Sequence, residues 1–260
     1  MAGGTVLVEH DGTIATVTLS SPERMNALDK SMWARLGTAM RELGADEHLR
    51  CVVLRGAGNK AFAAGADIAE FQAERANSRQ AKAYSEDGIG WMRAVAECRH
   101  PTVALIQGAC VGGGLLVASQ CDLRICNESA RFGVPVKNLG LTESYDELRA
   151  MMRVIGPAAS LEILLEGRIW SAREAYEKGL VCRVVPDAEV VREAYATARR
   201  IAAGAPLVAR WHKKFIRRLQ DPRPLSGEER DEGYACFDTE DFKTGVAAFL
   251  AKKKPEFSGR

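Results

Sequence analysis

Alternation opens the chain. Val6–Glu9 and Ile14–Leu19 each change between apolar and polar at period two, with Asp11-Gly12 between them, which predicts a β-hairpin. After the loop Ser21-Pro-Glu-Arg-Met-Asn-Ala-Leu28 the period lengthens. Met32, Leu36, Met40 and Leu43 mark one face of a helix capped by Asp29 and ended by Gly44. Cys51–Leu54 is an unbroken apolar run, as in a buried strand. A short helix near 68–73, a polar stretch over 74–79 and a long helix over 80–98 follow. Thr102–Ile106 then reads as a second buried strand. It runs into a turn at Gly108, three consecutive glycines at 112–114 and an apolar helical segment, Leu115–Ser119.

Further strands are predicted at Asp122–Cys126, Ala130–Gly133 and Val181–Val185. Helices are predicted near 146–155, 157–166 and 171–178, the last capped by Ser171 and ended by Gly179. Beyond Ala188 no strand pattern remains. Helical patterns occupy 189–203, 206–219, 226–237 and 240–251. The fold class is α/β, with a strand–strand–helix core over 1–187 and a helical C-terminal region over 188–260.

The glycine triplet carries the first chemical reading. A strand, then glycines, then a helix presents backbone N–H groups at a helix N-terminus to a ligand oxygen. Gly113 N–H is read as half of an oxyanion hole, with its partner in Lys60-Ala-Phe-Ala-Ala-Gly-Ala-Asp67.

Composition narrows the classes. The chain has 260 residues, 47% hydrophobic and 27% charged, with a formal net charge of +2. That balance makes no case for nucleic acid or an anionic membrane. No apolar run approaches the ~20 residues that span a bilayer, and the N-terminus lacks a signal-peptide pattern. A cytoplasmic location is the default expectation. Seven cysteines without a C-x-x-C and four scattered histidines predict buried free thiols and no metal site.

At this point the motifs can be compared with a known family. Ala61-Phe-Ala-Ala-Gly-Ala-Asp-Ile68, Ile106-Gln-Gly-Ala-Cys-Val-Gly-Gly-Gly114, Cys121-Asp-Leu-Arg124, Ala130-Arg-Phe-Gly133 and the tail Phe249–Phe257 occur in order. Together they resemble the crotonase superfamily of enoyl-CoA hydratases and isomerases, from Val6 to Phe257. The resemblance implies a crotonase-like spiral of ββα turns with a helical trimerisation tail, assembled as a homotrimer or a dimer of trimers. It implies an acyl-CoA substrate and no cofactor beyond the CoA that the substrate carries. It places the oxyanion hole on Ala66 N–H and Gly113 N–H. There, two fixed donors stabilise the enolate oxygen of a thioester; one such donor is typically worth ~3 kcal/mol.

The same resemblance exposes a departure. Hydratases carry one glutamate two positions after the last glycine of the triplet and another three positions after the Phe-Gly pair. Here those positions are Leu116 and Val136. Neither side chain can move a proton or hold a water. The family's Pro-Gly-x-Gly-Gly loop is also rebuilt, as Leu139-Gly-Leu-Thr-Glu-Ser-Tyr-Asp-Glu-Leu148. Counted from Gly140, Glu143 falls where dihydroxynaphthoyl-CoA synthases carry an aspartate, and it is the candidate acid or base, ahead of Tyr145 and Asp146. The competing reading is structural: Ser144-x-x-Glu147 is a capping-box pattern, and Glu143 could be one more acid beside a helix N-terminus.

Leu116, Val136 and Tyr145 are expected to border the acyl group. By resemblance, Arg24 lies near the CoA phosphates and Ala64 near the adenine, while Phe249 and Lys252 reach the site from a neighbouring subunit. Loss of both family glutamates favours decarboxylase or isomerase chemistry. The alternatives are a hydratase with repositioned acid and base residues, or a non-catalytic acyl-CoA-binding protein. The stripe Lys213, Lys214, Arg217 and Arg218 reads as a solvated helix face, and Asp67 as a helix cap.

Overall fold

The computed structural model describes residues 3–260, apart from the side chains of Gln72 and residues 86–89. The predicted hairpin is β1 (Thr5–Asp11) and β2 (Ile14–Ser20), paired antiparallel. Asp29 caps α1 (Lys30–Ala45) by accepting from Met32 N–H. Then come three strand–strand–helix turns. The first is β3 (Cys51–Gly56), β4 (Ala61–Ala63), α2 (Phe71–Glu74) and α3 (Ser78–Glu97). The second is β5 (Thr102–Ile106), β6 (Ala109–Val111) and α4 (Gly113–Gln120). The third is β7 (Leu123–Asn127), β8 (Arg131–Gly133) and α5 (Tyr145–Glu166). The core closes with β9 (Trp170–Ser171), α6 (Ala172–Glu177) and β10 (Arg183–Val185). Four helices end the chain: α7 (Val190–Ala202), α8 (Pro206–Arg218), α9 (Gly227–Glu232) and α10 (Glu240–Leu250).

Each turn sends its first strand to one sheet and its second to another. The large sheet runs β1-β2-β3-β5-β7-β10, and the small one β4-β6-β8-β9. From β2 to β10 the large sheet is parallel. The spiral expected from the motifs is therefore present.

Burial explains the unbroken apolar runs. Val52, Leu54, Ala104 and Ile106 enter the main core with α1, α3 and α4. Their neighbours Cys51, Val53, Val103 and Leu105 face the other way, against Val190, Ala194 and Ala198 of α7. A strand covered on both faces needs no polar alternation. The helical region 188–260 thus begins with a helix that seals the sheet of its own chain. Its later part also returns to that chain: Arg50 donates to Ala202 O at 3.0 Å and to Phe257 O, and Arg210 to Leu49 O at 3.3 Å.

The small sheet was barely visible in the sequence, because strands of two or three residues carry no period. Their close stacking decides the glycines around them. Gly65 has φ +107° and Gly112 has φ +52°, conformations that L side chains rarely adopt. A Cβ on Gly114 would meet Ala63 O at 2.3 Å. Packing and chemistry thus share the glycine triplet.

Candidate active site

Two strand ends bring the predicted donors together. A Cβ built on Gly113 would lie 3.5 Å from Ala66 N, and one on Gly65 would lie 3.6 Å from Gly113 N. Neither Ala66 N–H nor Gly113 N–H donates a hydrogen bond among the described residues. Their neighbours do: Leu28 N–H donates to Gly65 O at 2.8 Å, Asp67 N–H to Leu28 O at 2.9 Å and Gly112 N–H to Gly133 O at 2.8 Å. Ala66 is therefore pinned on both sides with its own donor left free. Gly113 opens α4, whose N-terminal dipole end adds positive potential.

Arg24 serves this pinning. Its guanidinium pairs with Asp67 and, at 3.3 Å, with Asp29, the cap of α1. The cation expected near the CoA phosphates is thus held by two carboxylates and ties the Ala66 segment to α1. Asp67 also caps the short helix after it, accepting from Ala69 N–H, as the sequence suggested. Ala64 donates its N–H to Met25 O at 3.0 Å on the same segment.

Apolar and aromatic groups surround the hole. Two ring carbons of Trp33 lie 3.1 Å from the Gly113 Cβ position. Trp33 stacks on Trp91 with ring centroids 3.9 Å apart, and Tyr84 joins the same cluster. Leu116 is 2% exposed yet belongs to neither core cluster. Val136 is half-buried in a short 3-10 turn, Val136–Leu139. Trp33, Tyr84 and Trp91 were not singled out in the sequence, where they look like ordinary core positions of amphipathic helices.

The rebuilt loop separates the two readings of its acids. Ser144 and Glu147 form the capping box: Glu147 Oε2 accepts from Ser144 N–H at 2.7 Å and Ser144 Oγ from Glu147 N–H at 3.4 Å. Glu143 stands outside the cap, half-buried. Burial pushes its carboxyl up to about 8, and the charge and hydrogen bond of Glu147 push the same way, with Arg75 opposing. Glu143 therefore holds a proton at neutral pH beside a second carboxylate. Arg75 links this loop to the aromatic wall, because its guanidinium lies 3.9 Å from the centre of the Tyr84 ring.

Other candidates stand apart. Tyr145 is 90% exposed as the first residue of α5, so within this chain it borders no acyl pocket. Asp146 sits in the first turn of the same helix. Phe249, 83% exposed, ends α10 with Leu250, and Lys252 follows with φ 53°. Within this chain they belong to the tail and not to the group around Ala66 and Gly113. The basic stripe is paired rather than merely solvated: Lys213 and Arg217 contact Asp122 at 2.7 and 2.8 Å, Lys214 pairs with Glu232 and Arg218 with Glu229. A cavity of about 450 Å³ beside that cluster opens at the opposite end of α4 from the hole.

The cysteines are free, and burial pushes Cys51, Cys121 and Cys126 up to about 12, where no nucleophilic thiolate forms near neutral pH. Among the described residues no group of three or more His, Cys, Asp or Glu side chains could hold a metal ion. No described helix is long and apolar enough to cross a membrane.

Comparison with known proteins identifies the family and supports the fold. The family model described as enoyl-CoA hydratase/isomerase matches residues 9–260. A solved structure of an enoyl-CoA hydratase/carnithine racemase from Magnetospirillum magneticum is 51% identical, with a TM-score of 0.97, covering 100% of this chain and 97% of that one. A probable enoyl-CoA hydratase of Rhizobium meliloti is 36% identical over 262 residues, covering 100% of both chains. A short-chain-enoyl-CoA hydratase of Clostridium acetobutylicum is 31% identical over 253 residues, covering 96% of each.

Proposed function

Because the chain belongs to the enoyl-CoA hydratase/isomerase family, we propose that it hydrates a 2-enoyl-CoA, with Glu143 and Glu147 supplying the acid and base that Leu116 and Val136 cannot. The observation that carries this reading is a free pair of N–H donors together with a rebuilt loop on which a half-buried Glu143, its pKa raised by burial and by the neighbouring Glu147, is the available acid. The names of the relatives favour hydration over the decarboxylase or isomerase chemistry that the two apolar positions first suggested. Enolate stabilisation by the hole would serve any of these reactions, so the carboxyl pair decides between them.

The water oxygen bonds to the β-carbon, and the double-bond electrons move onto the thioester, whose oxygen becomes an enolate held by Ala66 N–H and Gly113 N–H. Glu147 takes the proton released by the water. The enolate collapses as the α-carbon takes the proton of Glu143. Transfer across the hydrogen bond between the two carboxyls then restores the starting state. No cofactor enters beyond the CoA of the substrate. Burial, reinforced by Glu147, holds the pKa of Glu143 high, and Leu116 and Val136 would border the acyl chain.

Assembly belongs to the same proposal. The exposed apolar end of α10, with Phe249 and Leu250, suits burial against another copy in a homotrimer or a dimer of trimers. The direct test is crotonyl-CoA hydration, followed by the loss of the enoyl absorbance. Wild type should turn it over and Glu143→Gln should lose 100-fold or more in kcat/KM. Full activity in that variant would overturn the assignment.

A further inference from the structure

We infer that the site takes acyl chains bearing a second, distal carboxylate, and that Arg75 is the specificity residue that recognises it. The inference rests on the enoyl-CoA reading above and names the substrate class of the same site.

Arg75 closes α2 at the approach to α3. Its guanidinium carbon lies 3.9 Å from the Tyr84 ring centre and 4.6 Å from that of Phe71. Contact with two aromatic faces holds the planar group in a fixed orientation. Its Nε is enclosed without an acceptor, and a hydrogen bond to the Tyr84 side chain leaves only the rest of the terminal Nη edge to bind. That edge makes no ion pair with a described carboxylate. Arg24, Arg168, Arg183, Arg217 and Arg218 each have carboxylate partners within 4 Å, and Arg50, Arg124 and Arg210, which have none among the described residues, donate instead to backbone carbonyls.

The acid closest in effect is Glu143, but it carries its proton at neutral pH and leaves the Arg75 charge without a counter-ion. A half-buried, oriented guanidinium with no carboxylate partner, beside apolar walls, is matched by an incoming carboxylate that takes its remaining N–H donors. Protonated Glu143 offers an O–H nearby. A purely apolar acyl chain would instead leave that cation facing hydrocarbon. The rival role for Arg75 is mechanical, clamping α2 onto α3 through its stacking. A clamp would not distinguish a charged ligand from a neutral one of equal length.

Two saturated thioesters separate these roles without any chemistry. Glutaryl-CoA and pentanoyl-CoA have the same acyl chain length and lack the double bond that hydration needs. By calorimetric titration, wild type should bind glutaryl-CoA at least tenfold tighter. Arg75→Met should erase the difference, and Arg75→Lys, which keeps a cation, should restore part of it. Equal or weaker binding of glutaryl-CoA by wild type would overturn the inference, as would a preference that survives in Arg75→Met. Because neither compound can be hydrated, this outcome is independent of crotonyl-CoA turnover. Failure of the hydratase reading and failure of the Arg75 reading are therefore told apart.

Discussion

A methyl group on Gly113 would stand 3.5 Å from Ala66 N and 3.1 Å from two ring carbons of Trp33. It would fill the space that a thioester oxygen must enter. Gly113→Ala keeps the N–H and still narrows the hole. It should lower kcat/KM for enoyl-CoA turnover about 100-fold, in the range of losing one oxyanion donor, while circular dichroism shows an unchanged fold. At this scale the sequence was informative where chemistry leaves a local mark. The proximity of Gly113 and Ala66 was legible from their motifs, whereas the burial that raises the Glu143 carboxyl was not. Nor were Arg75 and the aromatic wall. Trp33, Tyr84 and Trp91 lie on two helices far apart in sequence, at spacings that any amphipathic helix shows, and only packing brings them to Gly113. Arg24 was expected near CoA by resemblance; its ion pairs with Asp29 and Asp67 were not legible in the sequence.

Among the elements, α5 carries the acid loop at its N-terminus, and its cap fixes where that loop ends. Ser144→Ala removes the side-chain acceptor for Glu147 N–H and should cost about 1 kcal/mol. Thermal denaturation should register this as a fall of about 2–4 °C for a chain of this size. The Glu147 carboxylate keeps its bond from Ser144 N–H, so activity should drop by no more than the stability loss explains. The longer elements were legible because hydrophobic period and caps agree: the hairpin, α1 with Asp29, β5 and the Ser171 cap all stand where the pattern put them. The two helices read at 146–155 and 157–166 are both present within α5, separated at Gly156, whose φ of 71° is not helical and precedes Pro157. Apart from β8, predicted at Ala130–Gly133, the small sheet escaped notice for the opposite reason, since its strands are set by close backbone approach and not by side-chain alternation.

For the molecule as a whole, the fold has two uneven ends. The sheet is sealed on both faces within one chain, while the last helices leave large apolar side chains uncovered: Phe249 is 83% exposed, Leu250 76% and Tyr234 69%. Light scattering should therefore give a mass of three or six chains, and Phe249→Asp should shift it downward; a monomer at micromolar concentration would contradict the assembly. The ββα spiral and the acyl-CoA class were readable because the motifs run in order along nearly the whole chain. The reaction was harder to read, because the absence of carboxylates at 116 and 136 says what cannot act there and not what replaces them. The proposed replacement, Glu143, owes its raised pKa to burial and to Glu147, which only the folded loop brings together.

The pH–rate profile of crotonyl-CoA hydration, in wild type and Glu143→Gln, tests the central claim most directly. The active form carries its proton on Glu143, so the wild-type rate should fall as pH rises through about 8, where that proton is lost. The variant should be at least 100-fold slower and lack that limb. A wild type with no turnover, or a variant that keeps both the rate and the fall above pH 8, would contradict it.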